Sequence, residues 1–276
     1  MSMYKKVEVD DHIIFYLEPD KGKKNSKHLL FIHGLGSSSL TWGDIPDALS
    51  EYFHTIAIDL IGFGQSEKSK ADYTIPFFSK FIKNFLRQKD IGIKDDDKVS
   101  IIGHSLGGYI ALEYAIENKE KVDKLVLIDS SGMLNKPTPL LELYLDAALK
   151  EDYFERLELA NRVFEDMLAD KSRYMPSKGI AFARIMEGQS AKYAFKSAYD
   201  HSTKVQLDLQ RLNQIAHIHS LIIWGKNDIL IPIYHVEKFK EVLKKTQVEK
   251  IDNAGHSPHV EKPTITYDII KKFLTI

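Results

Sequence analysis

Three residues able to build an activated nucleophile occur in this chain in the order Ser105, Asp228, His256. A serine hydroxyl attacks poorly at neutral pH and needs an adjacent base. Histidine, with an ordinary pKa of about 6.5, suits that task. The histidine in turn needs a carboxylate to fix its tautomer and stabilise its charged form. Each of the three stands just past an apolar run that reads as a buried strand: Val99–Gly103, His219–Trp224 and Val248–Ile251. Strands in a parallel sheet end on one edge, so residues far apart in the chain can meet there.

The stretch Gly103-His104-Ser105-Leu106-Gly107 follows its strand and leads into Tyr109–Ile116, which has good helix formers and no Pro or Gly. A strand that becomes a helix within about two residues needs a sharp corner, and small residues on both sides of Ser105 let the chain segments pass. This Gly-x-Ser-x-Gly between strand and helix resembles the nucleophile elbow of the α/β-hydrolase family. The order Ser, Asp, His is also that family's order. Three further stretches carry the resemblance: His33-Gly34, Asp59-Leu-Ile-Gly62-Phe-Gly64-Gln-Ser66, and Trp224-Gly225-Lys226-Asn227-Asp228. Gly255-His256 with Glu261-Lys-Pro263 downstream is similar to the family's histidine loop.

The resemblance implies a set of roles. Ser105 is the nucleophile, His256 the base and Asp228 the acid. The backbone N–H groups of Leu35 and Leu106 form the oxyanion hole. Losing one such donor typically costs about 2.7–4 kcal/mol of barrier lowering. His33 orients its loop rather than reacting, and Asp59 and Ser66 hydrogen-bond within theirs. Asp129, at another strand end, rivals Asp228 for the acid; His259 rivals His256. His104, His217, His219 and His235 are expected to be satisfied structural residues. Three consecutive carboxylates at 95–97 cannot all face one ion, so they read as an acidic turn.

Composition narrows the partners. The 276 residues are 43% hydrophobic and 28% charged, with 38 basic and 39 acidic residues and a net charge of −1. That balance gives no electrostatic case for a nucleic-acid partner. The absence of cysteine excludes disulfides, a thiol nucleophile and Cys-based metal sites. No apolar run approaches the roughly 20 residues that span a bilayer, and residues 1–11 lack the apolar core of a secretory signal. A cytoplasmic protein is the expectation, with a homo-oligomer left open.

The positioning elements follow from periodicity. Residues 4–10 and 12–18 alternate as a hairpin, and 20–27 are a polar loop. Helices are expected over 41–52, 76–91 and 264–274. Residues 133–214 change to helical character, at 140–149, 154–168, 180–186 and 191–199, and resemble the helical cap that many family members insert. Its aromatic and Met side chains (Tyr144, Phe164, Met167, Met175 and Phe182 among them) are candidates for an acyl pocket or for packing the cap onto the core. Arg184 and Arg211 are candidates for a substrate carboxylate or for plain surface positions. The expected architecture is an α/β-hydrolase fold: a mostly parallel eight-stranded sheet flanked by helices, with a core at 1–132 and 215–276. The expected reaction is hydrolysis of a small-molecule carboxylic ester with no cofactor or metal. The alternatives are a carbon–carbon hydrolase of ring-cleavage products and a non-catalytic small-molecule receptor. Gly36-Ser37-Ser38 departs from the Gly-Pro-Gly usual in the carbon–carbon hydrolases.

Overall fold

The computed structural model describes residues 3–21 and 27–276, so most of the polar loop expected at 20–27 lies outside the described residues. Eight strands form one sheet: β1 Met3–Val9, β2 His12–Glu18, β3 His28–Ile32, β4 His54–Ile58, β5 Val99–His104, β6 Val122–Ile128, β7 His219–Gly225 and β8 Thr246–Ile251. Their spatial order is β1-β2-β4-β3-β5-β6-β7-β8. The hairpin β1–β2 is antiparallel and β2 pairs antiparallel with β4; from β4 to β8 all neighbours are parallel.

The central strands alternate between two cores, as the period-2 geometry of a strand requires. Leu30, Ile32, Ile101, Leu125, Leu127, Ile222 and Trp224 face one core, together with α2 (Ile75–Leu86), α3 (Leu106–Glu117) and α9 (His235–Val242). Leu29, Phe31, Ile102, Val126, Ile128, Leu221 and Ile223 face the other, under α1 (Ile45–Leu49) and α11 (Pro263–Thr275). Both faces of the sheet are covered, which is why these strands read as unbroken apolar runs.

Between β6 and β7 the chain runs through α4 (Pro139–Leu149), α5 (Tyr153–Asp166), α6 (Pro176–Ile185), α7 (Gln189–Thr203) and α8 (Leu209–Asn213). A four-residue helix, α10 (Pro258–Glu261), precedes α11. No helix of the described residues is long and apolar enough to cross a membrane.

Two helices are shorter than their periodicity predicts. The stretch 41–52 splits into a 3-10 turn at Ser39–Trp42 and α1, because Gly43 takes φ +54° and Pro46 occupies the first turn of α1. The expected 76–91 helix ends at Leu86, followed by a separate 3-10 turn that Gly92 closes in a left-handed conformation.

Candidate active site

Ser105 lies at the corner between β5 and α3 with φ 53° and ψ −118°, a conformation that costs of order 1–3 kcal/mol for a non-glycine residue. The surroundings enforce it. A Cβ on Gly107 would stand 2.1 Å from the Ile32 carbonyl, and one on Gly103 would stand 2.3 Å from the Gly107 carbonyl. Only glycines let α3 start so close to β3 and β5.

Two carbonyls next to this corner are pinned. The Ser105 carbonyl accepts from the amides of Gly108 at 3.0 Å and Ser131 at 3.1 Å, and from the Ser131 hydroxyl at 3.2 Å. The Gly34 carbonyl accepts from His33 Nδ1 at 2.7 Å and the Ser37 amide at 3.3 Å. In a trans peptide the N–H points opposite to its C=O. The Leu106 and Leu35 N–H groups, on these same two peptides, are therefore aimed away from the pins. Leu106 is the first residue of α3, so its N–H has no acceptor within the helix.

The Leu60 amide donates to His33 Nε2 at 3.0 Å, which leaves the proton on Nδ1 for the Gly34 carbonyl. Burial pushes the His33 imidazole down against the opposing pull of Asp59, so the ring stays neutral in this role. Tyr144 of α4 adds a contact that periodicity did not reveal: its hydroxyl donates to the Leu35 carbonyl at 3.1 Å. It is buried, and burial raises its pKa well above that of a free phenol. No local signal could have linked two residues 109 positions apart.

His256 and Asp228 come together. His256 Nδ1 donates to Asp228 Oδ2 at 2.8 Å, with both side chains buried. Asp228 Oδ1 accepts the amides of Leu230 and Ile231, each at 2.9 Å. The His256 loop is tied on three sides. Its amide donates to the Met167 carbonyl at 2.8 Å, the Gly255 amide to Glu261 Oε1 at 2.7 Å, and the Ala169 amide to Glu261 Oε2 at 2.8 Å. Ser105 and His256 line one cavity of about 1040 Å³. No hydrogen bond joins these two side chains among the described residues; such bonds often tighten only with substrate in place.

The rival residues sort themselves. Asp129 sits beside Asp228, buried, with Oδ1 accepting the Gly225 amide at 2.9 Å. His259 stacks between Trp42, at 4.8 Å, and His104, at 4.5 Å, away from any carboxylate, and burial brings its pKa down to about 3. His104 Nε2 donates to the His256 carbonyl at 2.8 Å, while its Nδ1 meets no partner among the described residues. His235 differs from expectation: neither ring nitrogen has a hydrogen-bond partner among the described residues, and the ring lies against Tyr234. His219, by contrast, is an exposed strand-end residue. Arg211 forms a two-pronged ion pair with Glu113, and Arg184 is exposed. Asp59 accepts the Ser39 and Gln65 amides, and the Ser66 hydroxyl donates to the Asp59 carbonyl, as loop hydrogen-bonders should. At the acidic turn, Asp97 caps the Lys94 amide and pairs with His28.

The chain between β6 and β7 contributes Leu141, Tyr144, Phe164, Met167, Met175 and Phe182 to the cavity wall.

Known proteins resemble this chain in sequence and fold. The sequence profile of the alpha/beta hydrolase fold matches residues 27–263. Lipase 1 of Psychrobacter immobilis is 27% identical over 93% of this chain and 80% of its own length. The 2-hydroxy-6-oxo-6-(2'-aminophenyl)hexa-2,4-dienoic acid hydrolase of Metapseudomonas resinovorans is 24% identical over 90% of this chain and 82% of its own. The solved structure of a bacterial membrane phospholipase A superposes with a TM-score of 0.83 at 26% identity, over 99% of this chain and 86% of that one.

Proposed function

The chain belongs to the α/β-hydrolase-fold family, and from that premise we propose that it hydrolyses carboxylic esters through an acyl-enzyme on Ser105. The observation that carries the reading is the 2.8 Å bond between His256 Nδ1 and buried Asp228 Oδ2, with His256 lining the same cavity as Ser105. With Nδ1 engaged, Nε2 is the nitrogen left to take the Ser105 proton. The hydroxyl oxygen attacks the acyl carbon, and negative charge develops on the carbonyl oxygen. The aimed N–H groups of Leu35 and Leu106 stabilise it. Asp228 stabilises the imidazolium meanwhile. His256 returns the proton to the leaving alcohol, then activates a water that releases the acid. Residues 133–214 serve as a cap, and its apolar wall receives the acyl chain.

A second reading, hydrolysis of a carbon–carbon bond in a vinylogous diketone, has the Metapseudomonas relative in its favour. The test is turnover of p-nitrophenyl butyrate by the wild type and Ser105→Ala, with a vinylogous diketone in parallel. The variant is expected to lose at least about 1,000-fold in kcat. Wild type no faster than Ser105→Ala on a panel of acyl esters removes the ester reading. Turnover of the diketone alone transfers the same residues to the second reading.

A further inference from the structure

Asp129 follows β6 directly, is completely buried, and adopts φ 42°, a left-handed conformation that Asp and Asn tolerate better than most residues. Its Oδ1 accepts the Gly225 amide at 2.9 Å, whereas Oδ2 meets no donor among the described residues. One oxygen of Asp129, one of Asp228 and a ring nitrogen of His256 lie within 4.8 Å of one another. Two ionised carboxyls at such spacing, both buried, repel strongly, so the pair must hold a proton. The partners decide where it resides. Asp228 has three donors (the Leu230 and Ile231 amides and His256 Nδ1), which favour its ionised form. Asp129 has one.

We propose that Asp129 is a positioning residue: it keeps the proton on Oδ2 and donates a hydrogen bond from it to the Asp228 carboxylate. The inference rests on Asp228 and His256 being the acid and base of the reaction above. The Gly225 amide fixes which oxygen is which. An N–H faces a carbonyl oxygen, so Oδ1 is the carbonyl and Oδ2 the hydroxyl. Burial is the largest influence raising the Asp129 carboxyl well above the usual carboxylate range, followed by the charge of Asp228; the Gly225 amide opposes them and Glu261 adds to them. The titratable and charged groups facing Asp129 are Asp228, His256 and Glu261. A neutral Asp129 draws charge from Asp228 and leaves the imidazole free to accept the serine proton. An ionised Asp129 would hold a proton on that imidazole and withdraw the base.

Asparagine at this position reproduces the protonated side chain, with its oxygen toward Gly225 and its NH₂ toward Asp228. The experiment compares wild type, Asp129→Asn and Asp129→Leu by the pH profile of kcat/KM on p-nitrophenyl butyrate. It also follows the His256 imidazole titration by NMR in the free protein. Asp129→Asn is expected to keep kcat/KM within about threefold and to leave both the acid limb and the titration midpoint in place. Asp129→Leu removes the donor; it is expected to lose about tenfold in kcat and to move the acid limb to higher pH. If Asp129 is ionised in the wild type, Asp129→Asn deletes a negative charge beside the imidazole and moves the midpoint down by about a pH unit or more, which overturns the proposal. Equal loss of kcat in both variants overturns it as well. Should the leucine variant not fold, the asparagine comparison decides alone. The titration needs no substrate, so a wild type inert on esters would remove the ester reading while the Asp129 proton remained measurable.

Discussion

The Tyr144 hydroxyl reaches from α4 to the Leu35 carbonyl at 3.1 Å, and the ring packs edge-on against Phe195 at 4.9 Å. Tyr144→Phe keeps the ring and removes the donor. One hydrogen bond of this kind contributes about 1 kcal/mol. The expected result is therefore a roughly fivefold lower kcat on p-nitrophenyl butyrate with KM within about twofold, read from steady-state kinetics. At this scale the sequence was informative where chemistry dictates residue type. Ser105, Asp228 and His256 are legible as candidates because a hydroxyl, a carboxylate and an imidazole stand at three strand ends. The preference for Asp228 over Asp129 agrees with the hydrogen bond to His256, but periodicity could not say that both carboxyls share the neighbourhood. Tyr144 was a candidate pocket residue, but its bond to Leu35 and the pinned peptide carbonyls were invisible, because their partners are set by tertiary packing.

Whole elements are held by buried charge as well as by apolar packing. Glu18 ends β2, His54 begins β4 and His28 begins β3. Glu18 Oε1 meets His54 Nε2 at 2.6 Å, His54 Nδ1 meets His28 Nδ1 at 3.0 Å, and His28 Nε2 meets Asp97 at 3.1 Å. Burial alone would raise the Glu18 carboxyl. The hydrogen bonds from His54 and Lys5 outweigh it and bring the pKa down to about 2. A carboxyl depressed in the folded state stabilises the fold fully above its ordinary pKa of 4.5, and that stability is lost as pH falls toward 2. Glu18→Gln is therefore expected to be about 2 kcal/mol less stable at pH 7 in urea unfolding, with the gap from wild type closing between pH 5 and pH 2. A second element-scale prediction concerns Glu261, whose two oxygens each accept one backbone amide, that of buried Gly255 and that of the more exposed Ala169. An amide side chain has one acceptor oxygen, so Glu261→Gln strands either Gly255 or Ala169. A loss of about 1–3 kcal/mol in stability is expected, with a lower kcat because the His256 loop shifts; thermal melts and initial rates check the two parts. The strands were legible as apolar β-branched runs, whereas the helix expected at 41–52 failed at Gly43 and Pro46, where backbone chemistry overrides spacing.

For the molecule as a whole, the six parallel strands β3 to β8 end at one edge, and the chain between β6 and β7 supplies one wall of the cavity there. That wall, with Leu141, Phe164, Met167 and Phe182, is apolar and borders the cavity. Filling it should shorten the acyl chain that fits. Leu141→Trp is expected to lower kcat/KM for p-nitrophenyl octanoate relative to acetate by about tenfold, while acetate turnover changes little. That residues 133–214 turn helical was legible from the Pro137 and Pro139 punctuation and the loss of strand alternation. Which of their side chains reach the cavity was not, because a helix stripe that packs on a core and one that lines a void have the same spacing.

The bond from the His256 amide to the Met167 carbonyl joins the imidazole's loop to the turn that ends α5. A Cβ on Gly255 would stand 2.1 Å from that same carbonyl, so no slack separates the two segments. Any outward swing of α5 wide enough to admit a bulky guest must therefore snap this link or drag the imidazole along. Unless that hydrogen bond breaks, the end of α5 and the loop that carries His256 shift together.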